Sequence, residues 1–267
     1  MPFSSPAMTE PGSTAVHRAA LVTLAATFAL ILAGALVTSR DAGLAVPDWP
    51  LAYGELNPPR WHQIENIRTE HGHRIIAAAV ALSTTVLGFL VLRNERRRWV
   101  RRLALGAVAL ILFQALLGGL RVLSLSLDLA MVHGWTAQIF FSLLVVITTV
   151  TGPAWQDTGP PPAPRARAAA YTMTLLIVVQ LVSGILIRHL GQELRPLTSS
   201  ALFYVHLILA TGIVWLATGL RRSLDSARGG RAANLLLPIA GLQLGLGLAS
   251  FIVTETMRYD RQATLAE

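Results

Sequence analysis

The sequence predicts an all-α membrane protein built as a polytopic helical bundle, and three observations carry that prediction. Apolar residues make up 53% of the 267-residue chain, and the mean hydropathy is +0.55. Charged residues make up 13%, roughly half of the share that is usual in soluble domains. The apolar residues are concentrated in seven runs, each long enough to cross a hydrocarbon core of about 30 Å as a helix.

The seven runs define the predicted membrane spans. Each is close to the roughly 20 residues that a spanning helix needs. Pro238 lies inside the seventh run and is compatible with a span, because membrane helices tolerate proline. In chain order the predicted spans are Ala19–Thr38, Ile75–Leu92, Leu103–Leu120, Leu129–Val150, Ala168–Ile187, Leu202–Leu220 and Ala232–Val253.

The arginines between the spans predict the orientation of the chain. All 22 basic residues are arginines, and six of them lie in RNERRRWVRR, between the second and third spans. Arginines also occupy the loops after the fourth and sixth spans. Such an excess is typical of cytoplasmic loops. These loops and the N-terminus are therefore expected on the cytoplasmic side of a bacterial inner membrane, and the segment Ser39–Glu70 on the opposite side. Because topology explains the net charge of +8, nucleic-acid binding is not indicated.

A repeated glutamine–glycine pattern suggests two related halves. Gln114 precedes Gly118 on the third span, Gln180 precedes Gly184 on the fifth, and the seventh span has the same spacing. Small residues at this spacing allow helices to approach closely. With the order of the spans, the pattern predicts two four-helix halves, the second incomplete. The predicted domains are a cytoplasmic tail (1–18), the first half (19–150), a Pro-rich linker (151–167) and the second half (168–267).

Three histidines fall at similar depth on alternate helices. His73 opens the second span, and His133 and His206 lie early in the fourth and sixth. Ionisable groups inside spans are costly and are usually functional. Each histidine alone could cap a helix or bond a carbonyl, but the set favours metal ligation. Without cysteines, and with single histidines on facing helices, axial ligation of a haem is the favoured chemistry.

Other polar residues surround the first of these histidines. Glu70 lies three residues before His73 and therefore on the same face of a helix. It is either an acid favoured by the helix dipole or a carboxylate placed beside a haem edge for proton transfer. Arg74, Arg40 or Arg188 could pair with haem propionates. His71, His62 and His189 are predicted to be loop residues, and His17 an interfacial one.

The motifs containing these residues resemble those of the haem A synthase family. DAGLAVPDWPLAYGELNPP followed by EHGHR resembles its first-loop and second-helix signature, MVHGWTAQ its fourth-helix motif, and FYVHLILA its sixth. The resemblance implies eight helices in two pseudosymmetric halves. It also implies oxidation of the C8 methyl of haem O to the formyl of haem A, for cytochrome oxidase assembly.

The resemblance also assigns roles and partners. His73 and His133 would ligate the substrate haem, Glu70 would be the catalytic acid, and His206 would ligate a haem B cofactor. Haem O synthase, cytochrome oxidase assembly proteins and membrane lipids would be partners, and homo-oligomers are left open.

The sequence departs from the family pattern in two respects. It lacks the cysteine pair that some members carry, which excludes thiol chemistry. No eighth apolar run and no histidine follow His206 before Glu267, so the second haem B ligand is expected to be absent. Truncation, a ligand from another chain and a degenerate site are all compatible with this.

Two other functions would also use these histidines. A membrane b-type cytochrome for electron transfer explains them equally well, but does not explain Glu70 or the GLAVPDWP loop. A non-enzymatic haem carrier or assembly factor is compatible with the incomplete second half.

Overall fold

The computed structural model describes residues 14–156, 163–190, 201–223 and 227–266, and these contain seven α-helices and a structured loop between the first two. Each helix is long and apolar enough to cross a membrane. The predicted all-α multi-pass membrane fold is therefore confirmed. The helices are α1 Thr14–Ser39, α2 Glu65–Asn94, α3 Arg98–Ser124, α4 Leu127–Thr151, α5 Pro164–Leu190, α6 Ala201–Ser223 and α7 Ala227–Ala266.

The start of α2 differs from the predicted span. The helix begins at Glu65, not at Ile75, so the polar stretch TEHGHR is its own N-terminal part. Apolar content marks the segment that meets lipid, whereas helix formation also follows from satisfied polar contacts. Thr69, Glu70 and His71 are all buried, and each bonds or packs against the preceding loop.

The chain divides into two compact units, Met1–Asp157 (unit 1) and Thr158–Glu267 (unit 2). The boundary falls inside the predicted linker at 151–167. In unit 1, α1 packs against α2 and α4, and α3 packs against the same two helices, which closes a four-helix ring. Its core includes Leu87 on α2, Ile111 on α3 and Leu144 on α4.

Unit 2 contains α5, α6 and α7. Helix α6 packs against both of its neighbours. A small core around Met173 on α5 and Ala217 on α6 joins the first two helices, and Leu237 of α7 packs against it. Among the described residues, the second half therefore has three helices where the first has four.

Candidate functional site

Glu70 is a buried carboxylate that joins α2 to the loop before it. Its side chain accepts a hydrogen bond from the backbone N–H of Val46 at Oε2 (2.9 Å), and Oε1 pairs with Nη2 of Arg74 at 2.7 Å. The residue is 4% exposed. The four-residue spacing puts Glu70 and Arg74 on one face of the helix, so both can contact the same loop. The carboxylate is therefore held rigidly near the end of unit 1 at which α2 begins.

Arg74 completes this attachment. Nη1 donates to the carbonyls of Asp48 (2.7 Å) and Leu51 (3.1 Å), and Nη2 donates to the carbonyl of Val46 at 3.0 Å. A guanidinium has five N–H donors in a fixed plane, which suits several carbonyls at once. The sequence predicts Arg74 as a haem propionate partner; in the structure its donors serve Glu70 and the loop.

The loop between α1 and α2 is folded by its own polar contacts. The Asp48 carboxylate accepts hydrogen bonds from the N–H groups of Gly54 and Tyr53, both at 2.7 Å. These bonds, that from Gly54 foremost, lower the pKa of Asp48. Gly54 has a φ of 78°, a left-handed conformation that glycine adopts without strain. The Tyr53 hydroxyl also donates to the carbonyl of Ala45.

Trp49 connects this loop to α3. A Cβ at Gly119 would lie 2.6 Å from Cε2 of the indole, so only glycine leaves room for the ring. The adjacent Gly118 faces His133 instead. Gly119 thus leaves room for Trp49 of the loop, and Gly118 leaves room for His133 of α4.

His71 corrects a sequence-based interpretation. It was expected at a solvated loop end, but it is 4% exposed and lies inside α2. Its Nε2 is 3.2 Å from Oδ1 of Asn57, and its ring meets that of Trp61 edge-on, with centroids 5.0 Å apart. The prediction was wrong because α2 begins before the apolar run does. His71 fastens the far part of the loop to α2.

Two histidines of unit 1, His73 and His133, each pack against a glycine of the preceding helix. A Cβ at Gly34 of α1 would lie 3.1 Å from Cε1 of His73, and one at Gly118 of α3 would lie 3.4 Å from Cε1 of His133. Nδ1 of His73 is buried without a hydrogen-bond partner in the structure. The two imidazoles are close enough to interact electrostatically. The structure thus brings together both residues that were expected to ligate one haem.

Gln114 orients the ring of His133. Its amide contacts the Thr136 hydroxyl, and in the orientation that satisfies both of its ends it donates to Nδ1 of His133 at 3.0 Å. The sequence pattern marked Gln114 for close helix packing and did not indicate this bond. A glutamine one turn before the glycine that faces a histidine is the signal that could have revealed it.

Arg121 is a charged residue of this region that sequence reasoning missed. It lies in the last turn of α3, and it interacts electrostatically with Glu70, His73 and His133. Its guanidinium lies against the backbone of Gly43, where an added Cβ would be 3.1 Å from Cζ. Because Arg121 follows Gln114 by seven residues, the two share a helix face, which is a signal available in the sequence.

In unit 2, His206 repeats the contact with glycine and, like His133, a contact with a glutamine of the preceding helix, but it has a further polar partner. A Cβ at Gly184 of α5 would lie 3.1 Å from its Cε1. Nε2 is 2.9 Å from Nε2 of Gln180, and Nδ1 is 2.8 Å from Oγ of Ser183. Both nitrogens of this imidazole are therefore engaged by the protein.

The remaining residues that the sequence singled out lie elsewhere. Arg40 pairs with Glu65 (3.2 Å) and donates to the Thr69 hydroxyl. His62 is exposed in a short 3₁₀ turn, and His17 lies on α1 beside Gly152. The side chains of residues 188 and 189 fall outside the described ones.

The residues present fit a haem in unit 1 better than in unit 2. Unit 1 offers two imidazoles from facing helices, one with a buried Nδ1 that has no partner, and no thiolate competes. That donor set suits haem iron. In the described part of unit 2, the single imidazole has both nitrogens hydrogen-bonded, which does not fit a haem B held between two imidazoles. Within the described residues, no group of three or more His, Cys, Asp or Glu side chains could hold a bare metal ion.

Comparison with known proteins gives a consistent result. Residues 3–145 match the model of the family described as Cytochrome oxidase assembly protein (COX15-CtaA). A heme A synthase of Symbiobacterium thermophilum is 30% identical over 65% of this chain and 60% of its own length. Those of Shewanella oneidensis and Halalkalibacterium halodurans are 34% and 33% identical, over 36% and 50% of this chain. The chain spans 33% and 45% of the lengths of these two relatives. No solved structure gives a significant match.

Proposed function

The chain belongs to the cytochrome oxidase assembly protein family, and from that premise we propose that it makes haem A from haem O held in unit 1. The relatives named above are heme A synthases, which supports this activity. Haem O synthase and other cytochrome oxidase assembly proteins would then be partners.

The observation that carries the proposal is the grouping at one end of unit 1. His73 lies on α2 and His133 on α4, which lie across the four-helix ring from each other. Each imidazole packs against a glycine that limits its movement. A buried carboxylate, Glu70, lies one turn before His73. When bound between the two imidazoles, the haem would supply the iron and the ring methyl to be oxidised.

Glu70 would act on charge that develops beside the ring. Conversion of a methyl to a formyl group with water as the oxygen source releases four electrons and four protons, and the electrons must pass to an acceptor outside this chain. A carboxylate that is already oriented stabilises positive charge without reorganisation. Each oxygen of Glu70 keeps further acceptor capacity beyond its bond to Val46 or Arg74, so it can also receive a proton.

The test compares two carboxylates of α2. Glu70→Gln keeps the size of the side chain but removes its charge and basicity. A positioned acid–base group contributes about 10²–10⁴-fold in rate, so haem A should fall by that order while haem O accumulates. Glu65→Gln is the matched control, because Glu65 is an exposed first-turn acid paired with Arg40, worth about 0.3–1 kcal/mol in stability.

The measurement is haem extraction and chromatography from membranes that express each variant beside a haem O synthase. Near wild-type haem A from Glu70→Gln would show that Glu70 serves only to attach the loop. Haem B alone in the wild-type protein, without turnover of haem O, would favour a b-type cytochrome instead.

The orientation in a bacterial inner membrane is also part of the proposal. The arginine-rich turn between α2 and α3 supports a cytoplasmic location for that end of unit 1, and the loop that covers the site would then lie outside. Reporter fusions after Arg98 and after Asn57 should report opposite sides of the membrane. The same side for both would overturn this topology.

A further inference from the structure

Arg121 is a half-buried cation without a hydrogen-bonding partner among the described residues. The other arginines that border the site are engaged: Arg74 bonds Glu70 and three carbonyls, and Arg40 bonds Glu65 and Thr69. Arg121 has electrostatic interactions with Glu70 and the two histidines, but no described acceptor receives its N–H groups. Its donors are therefore available to a ligand of unit 1.

The position of the guanidinium is set by Gly43. An added Cβ at this residue would overlap Nη2 of Arg121 and lie 3.1 Å from Cζ. Gly43 is buried in the first turn of the loop after α1, so the arginine side chain is folded back beneath the loop and toward the site. A surface arginine directed into solvent would not need a glycine there.

A charge in this place needs compensation. Burying a cation away from water is unfavourable unless it is paired, and Glu70 already forms its ion pair with Arg74. An arginine forms its strongest hydrogen bonds with carboxylates, in a two-point geometry. The haem of the proposed reaction carries two carboxylates on one edge, and its iron would lie at His73 and His133, the imidazoles with which Arg121 interacts electrostatically.

We propose that Arg121, held by Gly43, is the subsite that binds a carboxylate of the porphyrin in unit 1. This assignment rests on the proposed function. It gives Arg121 the role that the sequence alone suggested for Arg74, Arg40 or Arg188; the loop uses the donors of Arg74. The Glu70–Arg74 pair then shapes the covering loop, and Arg121 orients the ring so that a chosen edge faces Glu70.

The experiment uses the purified full chain in detergent, titrated with haem B and with haem B dimethyl ester. The two probes share the ring and the iron and differ in the carboxylates. Binding is followed by the Soret band, and only the binding that His73→Ala removes is counted, since that part belongs to unit 1. The variants are Arg121→Gln, Arg121→Lys and Gly43→Val, with Arg68→Gln as the control, an exposed arginine near the start of α2.

Wild-type protein should prefer the diacid to the ester by about 10- to 100-fold, the range for a hydrogen bond to a charged group. Arg121→Gln should remove this preference by weakening diacid binding alone. Arg121→Lys should keep part of it, and Gly43→Val should lose it although the charge remains. Arg68→Gln should match the wild type.

Two results would overturn the subsite. One is that Arg121→Gln prefers the diacid as strongly as the wild type does. Arg121→Ala is measured instead if the first variant does not fold. The other is equal weakening of diacid and ester, which would make Arg121 a packing residue. Failure of the proposed function is read separately, from haem extraction: wild-type membranes would then leave haem O unconverted, whether or not the purified protein prefers the diacid.

Discussion

Units 1 and 2 both place a histidine against a glycine of the preceding helix, but the polar surroundings of the histidines differ. In both, a histidine of an even-numbered helix lies against a glycine of the helix before it: His73 at Gly34, His133 at Gly118, and His206 at Gly184. In unit 1 the Nδ1 atom of His73 has no partner. In unit 2 both nitrogens of His206 are bonded, by Gln180 and Ser183.

The difference shows that the glycine contact positions an imidazole but does not decide what it binds, since Gln180 and Ser183 reach His206 from the same helix as Gly184. Unit 1 closes a ring of four helices and carries a loop held by Glu70 and Arg74. In each of its four helices, 22–33% of the apolar stretch is buried within the protein. In unit 2 the corresponding shares are 11% for α5 and α6 and zero for α7. The two units therefore differ in how much of their helices is buried, whereas the availability of the histidine depends on the polar residues of the helix that carries the glycine.

The largest expected effect breaks the glycine contact in unit 1. Gly34→Leu would fill the space of the His73 imidazole, and overpacking of this kind costs about 1–3 kcal/mol. Haem binding by unit 1 should fall at least about 10-fold, measured by Soret titration. Gly212→Leu is the control, because the space beside Gly212 is open. Undiminished binding in Gly34→Leu would show that this contact does not position the ring.

A smaller effect should have opposite signs in the two units. Gln114→Leu removes the bond that orients His133 and should weaken haem binding in unit 1 by about 2- to 10-fold. Gln180→Leu frees Nε2 of His206 and should strengthen binding in unit 2 by a similar factor, as a high-spin species with one axial imidazole.

The measurement for this pair is a haem titration with the spin state read from the absorption spectrum. Ser183→Ala serves as the control in unit 2, since it leaves the contact of Nε2 with Gln180 in place. Changes in the same direction for Gln114→Leu and Gln180→Leu would remove the contrast between the units.

The smallest effect concerns polar contacts between helices at the opposite end of each unit. Glu95 accepts hydrogen bonds from Arg97, which also donates to the carbonyl of Val150 at 3.0 Å and so ties the α2–α3 turn to α4. The Arg97 side chain, the largest cause, lowers the pKa of Glu95 below its ordinary value of 4.5. The stabilisation is therefore present above pH 4.5 and is lost as the pH falls through the depressed pKa.

Glu95→Gln should cost about 1 kcal/mol of unfolding free energy at pH 7, and the difference from wild type should shrink as the pH drops below 4.5. Thermal unfolding in detergent at several pH values measures it. Asn234→Ala removes the counterpart in unit 2, an exposed bond from Arg221 at 2.9 Å. Its effect should be smaller and independent of pH. A constant difference for Glu95→Gln across this range would contradict the ionic account.

Some parts of the site could be predicted because they depend on chemistry along one helix. That His73, His133 and Glu70 lie together was expected from residue type, depth and spacing, and their roles stay predictions. His71 was misassigned because the start of α2 depends on contacts with Asn57 and Trp61, which are 14 and 10 positions away in the chain. Arg121 was missed because its role depends on Gly43, a residue of a different element.

The sequence by itself determined the membrane class, the number of spans and the spacing that places histidines and glycines on neighbouring helices. These follow from hydropathy and helical periodicity, which are local properties. The tertiary structure alone decided which polar groups already have hydrogen-bond partners within the protein. Arg74 is bound to the loop, both nitrogens of His206 are engaged, and the guanidinium of Arg121 has no described acceptor. The physical reason is that a side chain's hydrogen bonds depend on groups distant in sequence, and only the packing of the helices and the loop brings those groups within reach.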